Sequence, residues 1–183
     1  TLPVRETALT EDGATRIIAA DPDRGLRAVI LRTPELCRDT MTGMPHPERV
    51  SLAMGDHVIR GCGGDPMSLL TGRTWVVEDI GGAGVIDDAR VTLGFDDTGR
   101  VAGAGSCNRY TGGVRLTGET LRLGPIGSTM MACPEALMAQ ERRFFDALAE
   151  VTGFDIDETG ALVLRGPEGP LVLARATTDG SEP

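Results

Sequence analysis

The stretch GSCNRYTGG, residues 105–113, gathers the chain's one asparagine, Asn108, and its one tyrosine, Tyr110, beside Cys107, Arg109 and Thr111. Thiol, amide, guanidinium and phenol packed this closely would suit a reactive site, and would equally suit a disulfide-pinned turn. Three further cysteines (Cys37, Cys62, Cys133) and two histidines (His46, His57) complete the reactive inventory. Order along the chain suggests the pairs 37–62 and 107–133, although four cysteines allow three connectivities. None sits in a C-x-x-C knuckle, the closely spaced pair that structural zinc usually takes. Two loops of this size, each closed by one bridge, would contribute roughly 3 kcal/mol apiece in the chain-entropy model, and would point to an oxidising compartment. Four buried thiols in a cytosolic protein are the competing reading, and cysteine arithmetic favours the disulfides.

No catalytic set assembles around these groups. GAGSC, residues 103–107, is not the G-x-S-x-G elbow of a serine hydrolase. Cys37 and His46 would make a nucleophile–base dyad, but His46 lies in the proline-fixed loop MPHPE and Cys37 has Cys62 as a ready disulfide partner. DIDETG, residues 155–160, begins like a calcium loop, yet Thr159 stands at the third acidic position and Gly166 where the bidentate Glu belongs. A hairpin turn with Gly160 in the left-handed conformation explains it better, and DDTG at 96–99 reads the same way. GGAG at 81–84 lacks the strand-to-helix setting of a phosphate loop. Arg109 and Tyr110 could face a partner or bind an anion, or simply line the start of a turn. Glu141 could pair with an arginine or cap a loop. The expectation is no catalytic residue, no metal and no cofactor, because catalysis requires a nucleophile, a base and an orienting group within mutual reach.

The elements that carry these residues read as short strands. The first unit, 1–66, holds TRIIAAD, LRAVILRT, ERVSLAM and MGDHVIRG, with turns at PDRG (22–25) and Gly55-Asp56. Residues 67–72 read as a short linker making a rigid joint. Residues 73–177 run through TWVVEDI, ARVTLGF, RVAGAG and a hairpin, GVRLTGETLRLG, turned at Thr117-Gly118. Asn108 and Gly112-Gly113 would shape the turn ahead of that hairpin. One helix comes next over 134–151, with Pro134 as its first residue, Gly153 as its stop and an apolar face of Leu137, Phe144, Phe145, Leu148 and Val151. FDID, ALVLRG and PLVLARA close the unit, and 178–183 read as a frayed tail. The fold class is α+β, mostly antiparallel β: two small β-rich domains, the second with one main α-helix packed on its sheet.

Charge narrows the partners. Twenty-seven acidic against 18 basic residues leave a net charge of −9, which repels a phosphate backbone and disfavours nucleic acid. No apolar run is long enough for a transmembrane segment.

Trp75 opening a strand, VTLGFDDTGRVAGAGSCNRYTGG, LRLGPIGSTMMACPEALMAQERRFFDAL and LVLRGPEGPLVLARA together resemble the META domain, the domain of HslJ-type bacterial proteins, over residues 71–176. On that resemblance Asn108, Arg109, Tyr110 and Gly112, then Thr129 and Met131, then Glu141 are family-signature positions, and Cys107 and Cys133 are the family's two cysteine positions. CRDTMTG (37–43) and RGCGG (60–64) are similar to stretches of an uncharacterised family of bacterial envelope lipoproteins. The resemblance implies a periplasmic or outer-membrane-anchored protein of a Gram-negative cell envelope, with a lipid anchor upstream, associated with stress tolerance and without established enzymatic activity. The partner it implies is an envelope protein or a small ligand. Two alternatives stand beside this noncatalytic binding or structural module: an inhibitor-like protein that blocks an envelope or foreign hydrolase, and a thiol-dependent enzyme built on Cys37 and His46.

Overall fold

Strands of two to nine residues account for about half of the chain, many of them joined by glycine turns, and a computed structural model describes residues 1–177. The frayed tail expected at 178–183 lies outside the described residues. The chain divides into two compact units, Thr1–Pro66 and Met67–Pro183.

The first unit contains β1 (Val4–Leu9), β2 (Thr15–Asp21), β3 (Leu26–Thr33), the two-residue strands β4 (Cys37–Arg38) and β5 (Pro45–His46), β6 (Glu48–Met54) and β7 (His57–Gly63). Its main sheet is antiparallel in the order β1-β2-β3-β6-β7, and β4 and β5 form a separate ribbon. Met54 pairs with His57, so Gly55-Asp56 is a two-residue hairpin loop, and Gly55 supplies the positive φ of 56° it requires. β1 does not stand out in the sequence because nearly all of its side chains are exposed. The unit's buried side chains are Ala14, Ala19, Ala28, Cys37, Met44 and Pro45, a small core for a free-standing sheet. A disulfide between Cys37 and Cys62, with Cα atoms 5.4 Å apart, ties the β4–β5 ribbon to β7.

The second unit contains β8 (Thr74–Ile80), β9 (Ala83–Gly84), β10 (Thr92–Phe95), β11 (Arg100–Ala104), β12 (Arg109–Leu116), β13 (Leu121–Leu123), β14 (Gly127–Ser128), α1 (Glu135–Ala149), β15 (Gly153–Ile156), β16 (Leu162–Gly166) and β17 (Gly169–Thr177). One ten-stranded antiparallel sheet runs β13-β12-β11-β10-β8-β17-β16-β15, with β14 added to β12 and β9 to β8. The sheet curls into a half-barrel, and its two ends meet where Leu121 N donates to Thr152 O at 3.0 Å. Trp75 and Val77 of β8 face inward in alternation, Ile80 faces inward again past a register shift, and all three share the core with Leu93, Val101, Leu162 and Leu164. The helix closes this core with Phe144 and Leu148, packing against β8, β13 and β17. Trp75 Nε1 donates to Leu70 O at 2.9 Å and Leu70 is fully buried, so residues of the 67–72 stretch are part of this unit's core.

Three local expectations need correction. The helix ends at Ala149, with Glu150 still right-handed, and Gly153 opens β15 instead of stopping the helix. Sheet pairing already holds the chain by then, through Thr152 N to Arg165 O at 2.8 Å. Pro134, at ψ 143°, caps the helix from just outside its first turn. Gly112 and Gly113 lie within β12, and Gly112 permits close approach there: a Cβ on it would stand 2.7 Å from Ile126 Cδ1.

Candidate functional site

Helical phase places Glu141 four residues after Leu137 and three before Phe144, on the stripe that faces the sheet. Glu141 is accordingly only 7% exposed, and its neighbour Gln140 only 1%. Burying an amide and a carboxylate costs several kcal/mol each unless both are hydrogen-bonded, and here both are. Gln140 Oε1 accepts from Ile86 N at 2.8 Å and its Nε2 donates to Ser106 Oγ at 2.7 Å. Glu141 Oε2 accepts from the backbone N–H of Cys107 (3.2 Å) and Asn108 (2.7 Å), while Oε1 accepts from Asn108 Nδ2 at 2.7 Å.

That carboxylate fixes how the Asn108 amide lies. A carboxylate only accepts, so the Asn108 NH₂ must face it and Oδ1 must point away. Oδ1 then accepts from Thr129 Oγ1 and from Met131 N, both at 2.8 Å. Thr129 pairs with Arg109 twice, Thr129 N to Arg109 O at 3.0 Å and Arg109 N to Thr129 Oγ1 at 3.2 Å. The Cys107–Cys133 disulfide spans the same two segments, with Cα atoms 6.0 Å apart. Among the described residues no buried side-chain nitrogen or oxygen lacks a partner.

The turn before Asn108 departs from expectation. Asn108 does not take the left-handed backbone; Ser106 does, at φ 100°, held there by Gln140. Gly105 lets the chain pass against the helix, since a Cβ there would lie 2.8 Å from Glu141 Oε2 and 2.9 Å from Phe145 Cζ. Tyr110 is a second correction. It is 4% exposed, donates its hydroxyl to Thr92 O at 2.8 Å, and sets its ring edgewise against Phe144 and Phe145 at 5.6 and 5.4 Å. Burial pushes its phenol pKa upward. Of the two residues read as partner-facing, Arg109 is exposed and Tyr110 is a core residue.

The matched family residues are thus drawn together: Asn108, Arg109, Thr129, Met131, Glu141 and the 107–133 bridge form one bonded cluster. The family's model, described as META domain, matches residues 68–178, more than half of the chain. The chain belongs to the META domain family. Residues 1–67 lie outside that match. The chain resembles an NMR structure of a protein from Burkholderia xenovorans at 24% identity and a TM-score of 0.52, covering 66% of this chain and 96% of that one. A second NMR structure is 22% identical with a TM-score of 0.49, covering 61% and 95% respectively. No curated protein matches.

The other candidates resolve into structural parts. The β4–β5 pairing places Cys37 opposite His46, but the Cys37 sulfur is bonded to Cys62 and offers no thiolate. His46 sits in that ribbon, with Nδ1 3.4 Å from Gly64 O. In DIDETG, Asp157 Oδ1 accepts from Thr159 N, Thr159 Oγ1 and Ala161 N, and Gly160 takes φ 81°. Asp96 does the same in DDTG with Thr98 and Arg100. Both carboxyls are held below the ordinary range, first by the neighbouring threonine hydroxyl. Among the described residues no group of three or more His, Cys, Asp or Glu converges as a metal site, and no helix is long and apolar enough to cross a membrane. What the META domain presents outward beside its cluster is Met130, 97% exposed, Met131, 57% exposed, and Arg109. Gly105, Ser106, Gln140 and Met130 were not singled out by sequence reasoning. The polar pair Gln140-Glu141 inside an apolar period was the available signal.

Proposed function

We propose that the protein is a noncatalytic binding module of the bacterial cell envelope, acting through contact with another envelope protein or a small ligand and contributing to stress tolerance. One observation carries this reading. The signature's reactive-looking groups are consumed in a bonded scaffold, and the side chains the scaffold holds outward are Met130, Met131 and Arg109. Two disulfides are compatible with an oxidising, extracytoplasmic compartment, and a periplasmic or lipid-anchored placement extends that. A photo-crosslinking residue at position 130, in cells, should capture a defined envelope partner. A yield and pattern identical to those from an equally exposed position in the first unit, such as Met41, would overturn it. Unchanged survival of a deletion strain under envelope stress would remove the stress-tolerance part.

A second reading, an inhibitor of a hydrolase, is favoured by the way the Met130 segment is built. An exposed residue is braced on both sides by one buried side chain and a disulfide, which lowers the entropy lost on docking.

A further inference from the structure

We infer that Thr129–Cys133 is a peptidase-binding loop, in which Met130 fills the apolar primary-specificity pocket of a serine endopeptidase and the Met130–Met131 bond faces its nucleophile. This rests on the hydrolase-inhibitor reading and gives it a target class and a bond.

Three observations meet at this segment. Met130 is almost wholly solvated, although the residues on either side of it are tied to the same atom. Thr129 Oγ1 and Met131 N both donate to Asn108 Oδ1 at 2.8 Å, and Cys133 is bridged to Cys107. A long apolar side chain held out by a backbone fixed before and after it needs little ordering to enter a deep pocket. Second, the approach to Met130 is already extended. Among the described residues Gly127–Ser128 pairs with β12 along one edge only, and both residues are exposed. Its outer edge is available for the main-chain pairing by which an extended segment adds to a partner's strand. Third, the unbranched, uncharged side chain of methionine suits a hydrophobic slot, whereas a pocket floored by a carboxylate selects a basic residue.

The same bracing decides the fate of the bond once it is attacked. The enzyme's serine Oγ adds to the Met130 carbonyl carbon, the Met130–Met131 C–N bond breaks, and the serine's proton passes through the enzyme's histidine to the Met131 nitrogen. In a free peptide that amine departs and water replaces it. Here Asn108 Oδ1 and the Cys133 bridge retain it beside the acyl carbon. Its return attack re-forms the peptide bond and expels serine, which takes its proton back. Glu141 is a positioning residue in this scheme, because it dictates which face of the Asn108 amide meets Met131.

The test uses the full chain against chymotrypsin and subtilisin, with trypsin and lysozyme as comparisons, each assayed on its own substrate. Wild type should inhibit an apolar-pocket enzyme reversibly. Met130→Glu should weaken inhibition about 100-fold, as for loss of a central anchor, with Trp75 fluorescence confirming that the fold is intact. Asn108→Ala should convert the chain from inhibitor to substrate cut at 130–131. Inhibition indifferent to Met130→Glu would overturn the inference, as would prompt complete cleavage of wild type. If both apolar-pocket peptidases are untouched at about 100 μM, far weaker than such complexes normally are, while lysozyme is inhibited, the inference falls and the inhibitor reading stands. If no enzyme is inhibited, both fall.

Discussion

Replacing Glu141 with glutamine keeps shape and volume and removes one acceptor. The carboxylate meets donors on both oxygens: two backbone N–H groups at Oε2 and the Asn108 NH₂ at Oε1. A carboxamide must aim its own NH₂ at one of them. Turning the Asn108 amide over does not help, because its NH₂ would then oppose Met131 N, which now donates to Oδ1. One charge-assisted bond is lost and one donor–donor contact appears wherever the conflict is placed, a cost of about 2–3 kcal/mol. Glu141→Ala strands all three donors and should cost roughly 4 kcal/mol. Trp75 is the chain's one tryptophan and is buried in the second unit, so its fluorescence in urea reports that unit's unfolding. With a slope of about 1.5 kcal/mol/M, the glutamine variant should unfold at about 1.3–2 M lower urea than wild type. Midpoints for both variants within about 0.3 M of wild type, a shift worth under 0.5 kcal/mol on that slope, would show that the bonded cluster does not hold the unit together.

Each disulfide closes a similar loop, with sequence separations of 25 and 26, so each should contribute roughly 3 kcal/mol by chain entropy. The first unit has the smaller core, and Cys37→Ser with Cys62→Ser should cost it much of its strand signal in far-UV circular dichroism at 37 °C; an unchanged spectrum would count against the small-core account. Asp157 has its carboxyl pKa lowered in the folded state, so its contribution is present above the ordinary value of 3.8 and fades as pH falls through the lower folded value. Asp157→Asn should therefore flatten the acid side of the melting curve below about pH 4, and an unaltered acid limb would refute the assignment. Tyr110 is the lone tyrosine and its phenol pKa is raised by burial. Its stabilising share is complete below the unfolded value near 10 and declines above it. Phenolate absorbance should accordingly appear only as the unit unfolds in alkali, and a titration near pH 10 in folded protein would place the ring at the surface.

Much of the fold was legible wherever a local rule governed. TWVVEDI is β8 residue for residue, because β-branched and aromatic residues alternate there between a core face and an open one. The Gly55, Gly160 and Gly25 turns followed from positive φ. What was not legible depends on partners distant in sequence. Gly112 and Gly113 looked like turn residues because nothing nearby announces that Ile126 presses against Gly112 or that Gly124 N donates to Gly113 O. Gly153 looked like a helix stop, and Arg165, twelve residues away, recruited the chain first. Glu141 was read as able to cap a loop, and it does so. Its burial and its three donors lie 33 and 34 positions upstream, beyond any window of composition or period. Tyr110 read as able to face a partner or to line a turn for the same reason, since the carbonyl that accepts its hydrogen bond belongs to Thr92.

The distance between Glu141 and Asn108 also orders events during folding. The link from β11 into β12 looks like a local reversal, yet the backbone N–H groups of Cys107 and Asn108 meet their acceptor, Glu141, only once the helix is made and docked. Contacts so distant in sequence form later than local ones, because their closure entropy is lost before they are rewarded. During synthesis, Cys107 and Asn108 emerge from the ribosome with their acceptor still unmade. Cys107 then stays accessible to wrong thiols until Cys133 and the first helical turns arrive, so correct pairing in this domain waits on its helix.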